Sequence, residues 1–386
     1  MPAPGLRLDR LTLAEFRNYR SLAWRPRGHV VTLSGPNGSG KTNLLEAISL
    51  LVPGRGLRGA RIGELARRGA GAPGTWAVAA RLATPEGPCD VGTGTPPDGA
   101  TERRAFRLDG AVPRSQAEVA ARVAVVWLTP QMDRLFQEGA AGRRRFLDRL
   151  VYALEPAHAR DVAAHDTAMA SRNRLLGAGG ADPAWLAALE DVMARHAVAV
   201  TAARMALAAR LSAALACGAA APFPAARIAL RCPIAAALAA GPALATEAAL
   251  RAELRANRAR DAAAGNAASG AHRADMALTD AVSGEEAGRA STGQQKALLI
   301  GVVLGHAALL AEARGFAPLL LLDEPTVHLD PARRAALFAA LLRLPAQSFL
   351  TSADREVLLA LRGQAQAWRV NDASIAADSE ADGADA

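Results

Sequence analysis

Lysine is nearly missing from this chain. Only Lys41 and Lys296 occur among its 45 basic residues, and the other 43 are arginine. Cysteine is as scarce: Cys89, Cys217 and Cys232 stand alone with no CxxC pair, which excludes a disulfide framework and a cysteine zinc site. Long apolar runs are missing too. The one ending at Leu322 falls far short of the ~20 residues that span a bilayer, and Met1–Asp9 has no basic-then-apolar leader pattern. The expectation is a cytoplasmic protein with no membrane contact.

What is present fits a globular protein. Apolar residues make up 51% and charged residues 21%, with much alanine, which favours helix but buries little area per residue. The net charge is +8, yet the last sixteen residues hold five acids and no base. The rest of the chain is therefore more basic than the whole, and such a body suits a polyanion such as nucleic acid. A length of 386 residues allows one large or two to three smaller units.

Apolar alternation predicts strands at Leu6–Leu13 and at 29–34, then a helix over 43–51 stopped by Pro53 and Gly54. Further strands are expected at 76–82 and 104–109, flanking a Gly/Pro-rich loop at 84–99, and at 123–128. From Gly142 to Cys217 the pattern is helical. Asp182–Pro183 caps a helix carrying Leu186, Leu189, Met193, Val200, Leu207, Leu211 and Leu215, which predicts one limb of a helical hairpin. Strands follow at 227–231, 276–282, 318–322 and 348–351, and helices at 246–261, 293–311 and 331–344; the tail after Val370 is expected to be disordered.

Three strings carry chemistry. Gly35-Pro36-Asn37-Gly38-Ser39-Gly40-Lys41-Thr42 matches GxxxxGK[ST] between a strand and a helix, a loop whose backbone N–H groups cradle phosphate. Lys41 would reach the β- and γ-phosphates of ATP and Thr42 would ligate Mg²⁺. Leu319–Leu322 then runs into Asp323-Glu324-Pro325. Asp323 is the candidate metal ligand, and Glu324 the candidate base that polarises the attacking water. Ser291-Thr292-Gly293-Gln294-Gln295-Lys296 opens an apolar helix and offers either a second anion site or an ordinary helix cap. Both lysines lie in these strings. Lysine is a compact ammonium that arginine cannot copy in a tight phosphate loop.

In this order, with Val327-His328-Leu329-Asp330 after the acidic pair, the strings resemble an ABC-type ATPase. Phe16-Arg17-Asn18-Tyr19, the run from Gly35 to Ile48, Thr129-Pro130 with Arg143–Leu150, Arg260-Asp261 with Gly270–Asp275, and Gln294-Gln295-Lys296 narrow the resemblance to the RecF family. It implies an α/β ABC-type ATPase head, a mixed sheet around the phosphate loop with an antiparallel β subdomain, and an inserted helical arm. The expected bounds are 1–145 and 266–370 for the head, 146–265 for the arm and 371–386 for an acidic tail. It also implies that Ser291, Gly293 and Gln294 contact ATP held by a second copy, with Asp330 at that dimer interface. ATP would drive homodimerisation on single-stranded, gapped or double-stranded DNA during repair, and the SOS response is the implied setting. RecO and RecR would be partners in loading RecA, and weak, slow hydrolysis would release the complex.

Several positions depart from the family pattern. Gln131 follows Thr-Pro where an acid is usual and is a candidate water-contacting glutamine, Gly270–Asp275 lacks the usual Pro and first Asp, and Asp323–Asp330 reads like generic ABC proteins. No switch histidine follows Leu350, which leaves Thr351 or Ser352 to face the γ-phosphate. Arg55, Arg58, Arg61, Arg67 and Arg68 are the candidate DNA contacts, although such a run also suits a solvated face. A transporter subunit would need a gap shorter than the 252 residues from Lys41 to Gly293. An SMC-like protein would need a far longer heptad arm. An ATP clamp with negligible turnover stays open.

Overall fold

The structure, a computed structural model, describes residues 5–69, 74–100, 102–179 and 182–378. The chain divides into two units: residues 1–133, 218–224 and 292–386 form the first, and residues 134–217 and 225–291 the second.

The first unit begins with strands β1 (Arg7–Phe16), β2 (Tyr19–Trp24) and β3 (Val30–Ser34) and helix α1 (Lys41–Ser49). It continues through β4 (Ala77–Thr84), β5 (Gly87–Gly94), β6 (Ala105–Leu108), helix α2 (Gln116–Arg122) and β7 (Val125–Leu128). Five of these strands form an antiparallel sheet in the order β2-β1-β4-β5-β6. A bulge between Leu8 and Arg10 resets the alternation of β1, so Leu8 and Leu11, three residues apart, are both fully buried. β5 occupies the expected loop at 84–99. Its glycines and Pro88 hide it from propensity, yet it pairs with β4 from Ala77↔Gly94 to Thr84↔Gly87 and with β6 on its other side.

The second unit holds helices α3 (Ala140–Leu154), α4 (His158–Ala178) and α5 (Pro183–Ala216), strand β8 (Ala226–Arg231), helices α6 (Pro233–Ala240), α7 (Ala243–Ala256) and α8 (Arg258–Ala264), and β9 (Asp275–Asp280). It runs to Ser291 instead of ending at 265, because β8 and β9 pair antiparallel within it. The Asp182 carboxylate caps α5 through the Ala184 N–H at 2.8 Å, with Pro183 in the first turn. Met193, Ala197, Val200, Leu250 and Leu254 form its apolar core. Beside them Arg172 is fully buried; it donates to Glu190 (3.0 Å), Asp261 (2.7 Å) and the Leu254 carbonyl (2.6 Å).

The chain returns to the first unit with α9 (Thr292–Arg314), β10 (Leu319–Leu322), α10 (Pro331–Arg343), β11 (Ser348–Ser352), α11 (Arg355–Leu358), β12 (Gln366–Asn371) and β13 (Ser374–Ala377). A second sheet runs β13-β12-β3-β11-β10-β7, parallel throughout except for β13 at its edge. Residues 371–378, expected to lie in a disordered tail, are ordered. β12 and β13 form a hairpin, and Asp378 is buried and held by Arg355 at 2.8 and 2.9 Å; residues 379–386 lie outside the described residues. Both α5 and α9 are long and apolar enough to cross a membrane, but 83% of that stretch of α9 is buried inside the protein, as in a core helix.

Candidate functional site

β3, β11 and β10 lie side by side and parallel in the first unit, so their C-terminal ends form one rim. Ligands of open α/β sheets sit at such a rim. β3 delivers the chain into Gly35–Gly40, and α1 begins at Lys41. Gly35 has φ +151°, and a Cβ there would lie 2.0 Å from the Val370 carbonyl oxygen. Gly40 has φ +116°, and its Cβ would meet the Tyr19 hydroxyl at 2.6 Å. Only glycine fits either place.

No side chain caps α1, so its first-turn N–H groups keep their anion-binding capacity. Lys41 is 5% exposed. Its Nζ donates to the carbonyls of Gly35 (2.7 Å) and Pro36 (3.0 Å) and lies 4.0 Å from Glu324 Oε1. Burial lowers its pKa, while the charges of Glu324 and Asp323 oppose that shift. The buried Ser39 hydroxyl has no hydrogen-bond partner among the described residues. A phosphate would give both groups acceptors.

Asp323 leaves the end of β10 and accepts two hydroxyl hydrogen bonds at Oδ1, from Thr42 (2.9 Å) and Thr351 (2.8 Å). Thr351 Oγ1 also accepts the Glu324 N–H at 2.9 Å. Glu324 itself sits at φ +47°, a left-handed conformation uncommon outside glycine. Burial raises its carboxyl above the ordinary range, opposed by an Ala353 backbone hydrogen bond and by the charges of Lys41 and Lys296. Both lysines of the chain thus act on one carboxylate. Among the described residues no three His, Cys, Asp or Glu side chains gather in a metal cage. The pair Thr42 and Asp323 instead fits Mg²⁺, which takes one or two protein oxygens and completes its shell with waters and phosphates.

Lys296 is 3% exposed and donates to Asp133 Oδ2 at 3.0 Å, tying the start of α9 to the turn that follows β7. Ser291, Thr292 and Gln294 are exposed. A Cβ on Gly293 would meet Arg333 Nη1 at 3.1 Å. Asp330 caps α10 through the Arg333 N–H at 2.8 Å, a structural task beside its expected place at an interface.

No protein-family model matches the chain. It is 44% identical over 382 residues to the DNA replication and repair protein RecF of Mesorhizobium japonicum, covering 99% of this chain and 100% of that one. The chain belongs to the RecF family. RecF of Rhizobium leguminosarum bv. trifolii is 42% identical over 370 residues, 95% of this chain and 98% of its own. Among solved structures, the recombination mediator protein RecF-ATPrS in the RecFOR pathway superposes with a TM-score of 0.82 at 20% identity, covering 98% of this chain and 99% of that one. An Smc head domain with an extended coiled coil, from Pyrococcus furiosus, gives 0.51 at 15% identity, covering 96% of each chain. Both superpose over nearly the whole chain, so its fold is shared with RecF and with an Smc head.

In this RecF-family chain Gln131 is exposed in the turn after β7, whose last residue Leu128 pairs with Leu322 of β10. Thr351 is turned to Asp323 and Glu324, and the Ser352 hydroxyl accepts the Asp354 N–H at 3.1 Å. Arg55, Arg58, Arg61 and Arg68 are exposed, Arg58 also pairing with Glu46 at 3.4 Å, and half-buried Arg67 pairs with Glu15 at 2.5 Å.

The Phe16–Tyr19 string carries contacts that the sequence reading left unassigned. The Asn18 amide donates to the Ser39 carbonyl and the Tyr19 hydroxyl to the Gly40 carbonyl, each at 3.2 Å. Arg17 grips the fully buried Glu46 with two bonds of 2.6 and 2.8 Å. A polar triplet after an apolar strand, lying two strands ahead of the loop, was the available signal.

Proposed function

We propose that this protein is an ATP-switched DNA-binding protein of replication and recombinational repair. The observation that carries the reading is the convergence of Lys41, Thr42, Asp323 and Glu324 on the rim of β3, β11 and β10. The loop Gly35–Thr42 holds the phosphates of ATP through its amides and Lys41. Thr42 and Asp323 would hold Mg²⁺, which would neutralise phosphate charge. Glu324, its carboxyl raised by burial, accepts the proton of the water that attacks the terminal phosphorus. Thr351 keeps Asp323 and the Glu324 backbone fixed meanwhile.

One chain supplies half a site. Ser291, Gly293 and Gln294 of a second copy close over the terminal phosphate, with Asp330 at the seam, so ATP binding favours a homodimer and hydrolysis dissolves it. Turnover is slow and stimulated by DNA. Exposed Arg55, Arg58, Arg61 and Arg68 meet the DNA backbone, with Arg67 beside them. RecR and RecO are the partners through which the dimer helps load RecA at gaps in the cytoplasm. The test is DNA affinity of the purified protein on gapped, single- and double-stranded DNA, with and without ATP. Tighter binding with ATP, weakening steeply with salt, supports the reading; equal affinity in both states overturns it. An SMC-like clamp not dedicated to gap repair, the second reading, is favoured by the shared head fold and predicts no preference for gaps.

A further inference from the structure

Asn18 does more than touch the phosphate loop. Its Nδ2 donates to the Ser39 carbonyl at 3.2 Å, which also accepts the Ala373 N–H at 3.1 Å. Its Oδ1 accepts from Asn43 Nδ2 at 2.8 Å on the first turn of α1. The Asn43 Oδ1 in turn accepts from Arg58 Nη1 at 2.6 Å, and the same Nη1 lies 3.4 Å from Glu46 Oε2. Glu46 is anchored by Arg17, whose Nη1 also donates to the Glu64 carbonyl at 2.9 Å. The Arg58 side chain is 37% exposed while Glu46 is fully buried, so the line of polar groups runs from the surface to the phosphate loop.

We propose that Arg58, Asn43 and Asn18 form a relay through which DNA seated on the arginine segment 55–68 orders the phosphate loop for ATP. The idea rests on the ATP and DNA reading above. Only Nη1 of Arg58 takes part in the relay contacts. Its guanidinium has five donors in a fixed fork, so Nη2 and Nε can grip a DNA phosphate while Nη1 keeps Asn43. A clamped Arg58 holds Asn43 in one rotamer, Asn43 holds the Asn18 amide, and Asn18 together with the Ala373 N–H fixes the Ser39 carbonyl. ATP then meets a loop whose ordering cost has been met by DNA, which is positive coupling without a change of fold. Coupling is reciprocal, so ATP tightens DNA binding by the same factor. Asn18 and Asn43 act through the loop backbone and are positioning residues.

The experiment measures the affinity of a fluorescent ATP analogue with and without a short DNA duplex, for wild type, Asn43→Ala and Arg58→Ala, with thermal unfolding as the folding control. In wild type, DNA tightens nucleotide binding roughly 5- to 10-fold. Asn43→Ala still binds DNA as tightly as wild type without nucleotide but loses this gain, leaving less than about a twofold effect. Arg58→Ala loses the gain and also binds DNA more weakly. If Asn43→Ala keeps the full DNA effect, the relay is wrong and the ATP-switched reading stands; if wild type binds both ligands and shows no DNA effect, the relay and that reading fall together. If wild type binds no nucleotide, the underlying reading itself fails.

Discussion

Replacing Thr351 by Val removes one hydroxyl and almost no volume. That hydroxyl donates to Asp323 at 2.8 Å and accepts the Glu324 N–H at 2.9 Å, and Thr351 is fully buried. A hydrogen bond to a charged carboxylate contributes about 1.5–3 kcal/mol, and a buried N–H left without an acceptor costs about 1–3 kcal/mol. Some of this relaxes, so a loss of roughly 2–4 kcal/mol in the stability of the first unit is expected. Urea unfolding followed by a probe in that unit measures it. Catalysis falls further than binding, because Glu324 at φ +47° loses the bond that fixes its backbone while Lys41 and the loop stay in place. ATP hydrolysis should drop by about tenfold or more, with ATP affinity changing only a few-fold. Thr351→Ser keeps the hydroxyl and restores most of both. A Val variant within about 0.5 kcal/mol of wild type and with normal hydrolysis would refute the argument.

Further outcomes follow from other contacts. Tyr19→Phe deletes the 3.2 Å bond to the Gly40 carbonyl and should weaken ATP binding by about two- to fivefold, read by titration, with stability lowered by about 1 kcal/mol or less. Arg172→Met leaves Asp261 buried without its cation, while Glu190 keeps Arg258, and should destabilise the second unit by about 3–5 kcal/mol in denaturant unfolding. In the same unit burial alone would raise the Asp148 carboxyl, but hydrogen bonds from His158 and Arg204 outweigh it and hold the pKa below its ordinary value. A depressed folded pKa gives stability that is present above the unfolded value near pH ~4 and is lost as pH falls through the folded one. Arg204→Met should therefore move the onset of acid unfolding to higher pH, followed by circular dichroism.

The parts of the fold written in side-chain pattern were legible. Gly35–Thr42 and Leu319–Glu324 announced a strand, a loop and a rim before any coordinates, because each needs particular residue types at fixed places. β5 was invisible, since Gly92, Gly94 and Pro88 break every local rule for strands and only pairing on both sides makes one there. α6 was likewise hidden, as an alanine run with no stripe to read. Thr351 could be named as close to the phosphates but not aimed; its two bonds depend on the register Leu322↔Leu350 between β10 and β11. Arg58 and Arg67 looked like surface charges until Glu46 and Glu15 were seen beside them. Charge is legible in sequence, and its partner across the fold is not.

The measurement that bears most directly on the central claim is the mass of the protein in solution with ATP and Mg²⁺, by analytical ultracentrifugation. Wild type should move from monomer towards dimer on adding ATP. Glu324→Gln should stay dimeric for longer, because it binds but does not turn over. Lys41→Arg should remain a folded monomer, since the planar guanidinium does not fit against the Gly35 and Pro36 carbonyls. A Lys41→Arg protein that dimerises with ATP as wild type does would contradict the account.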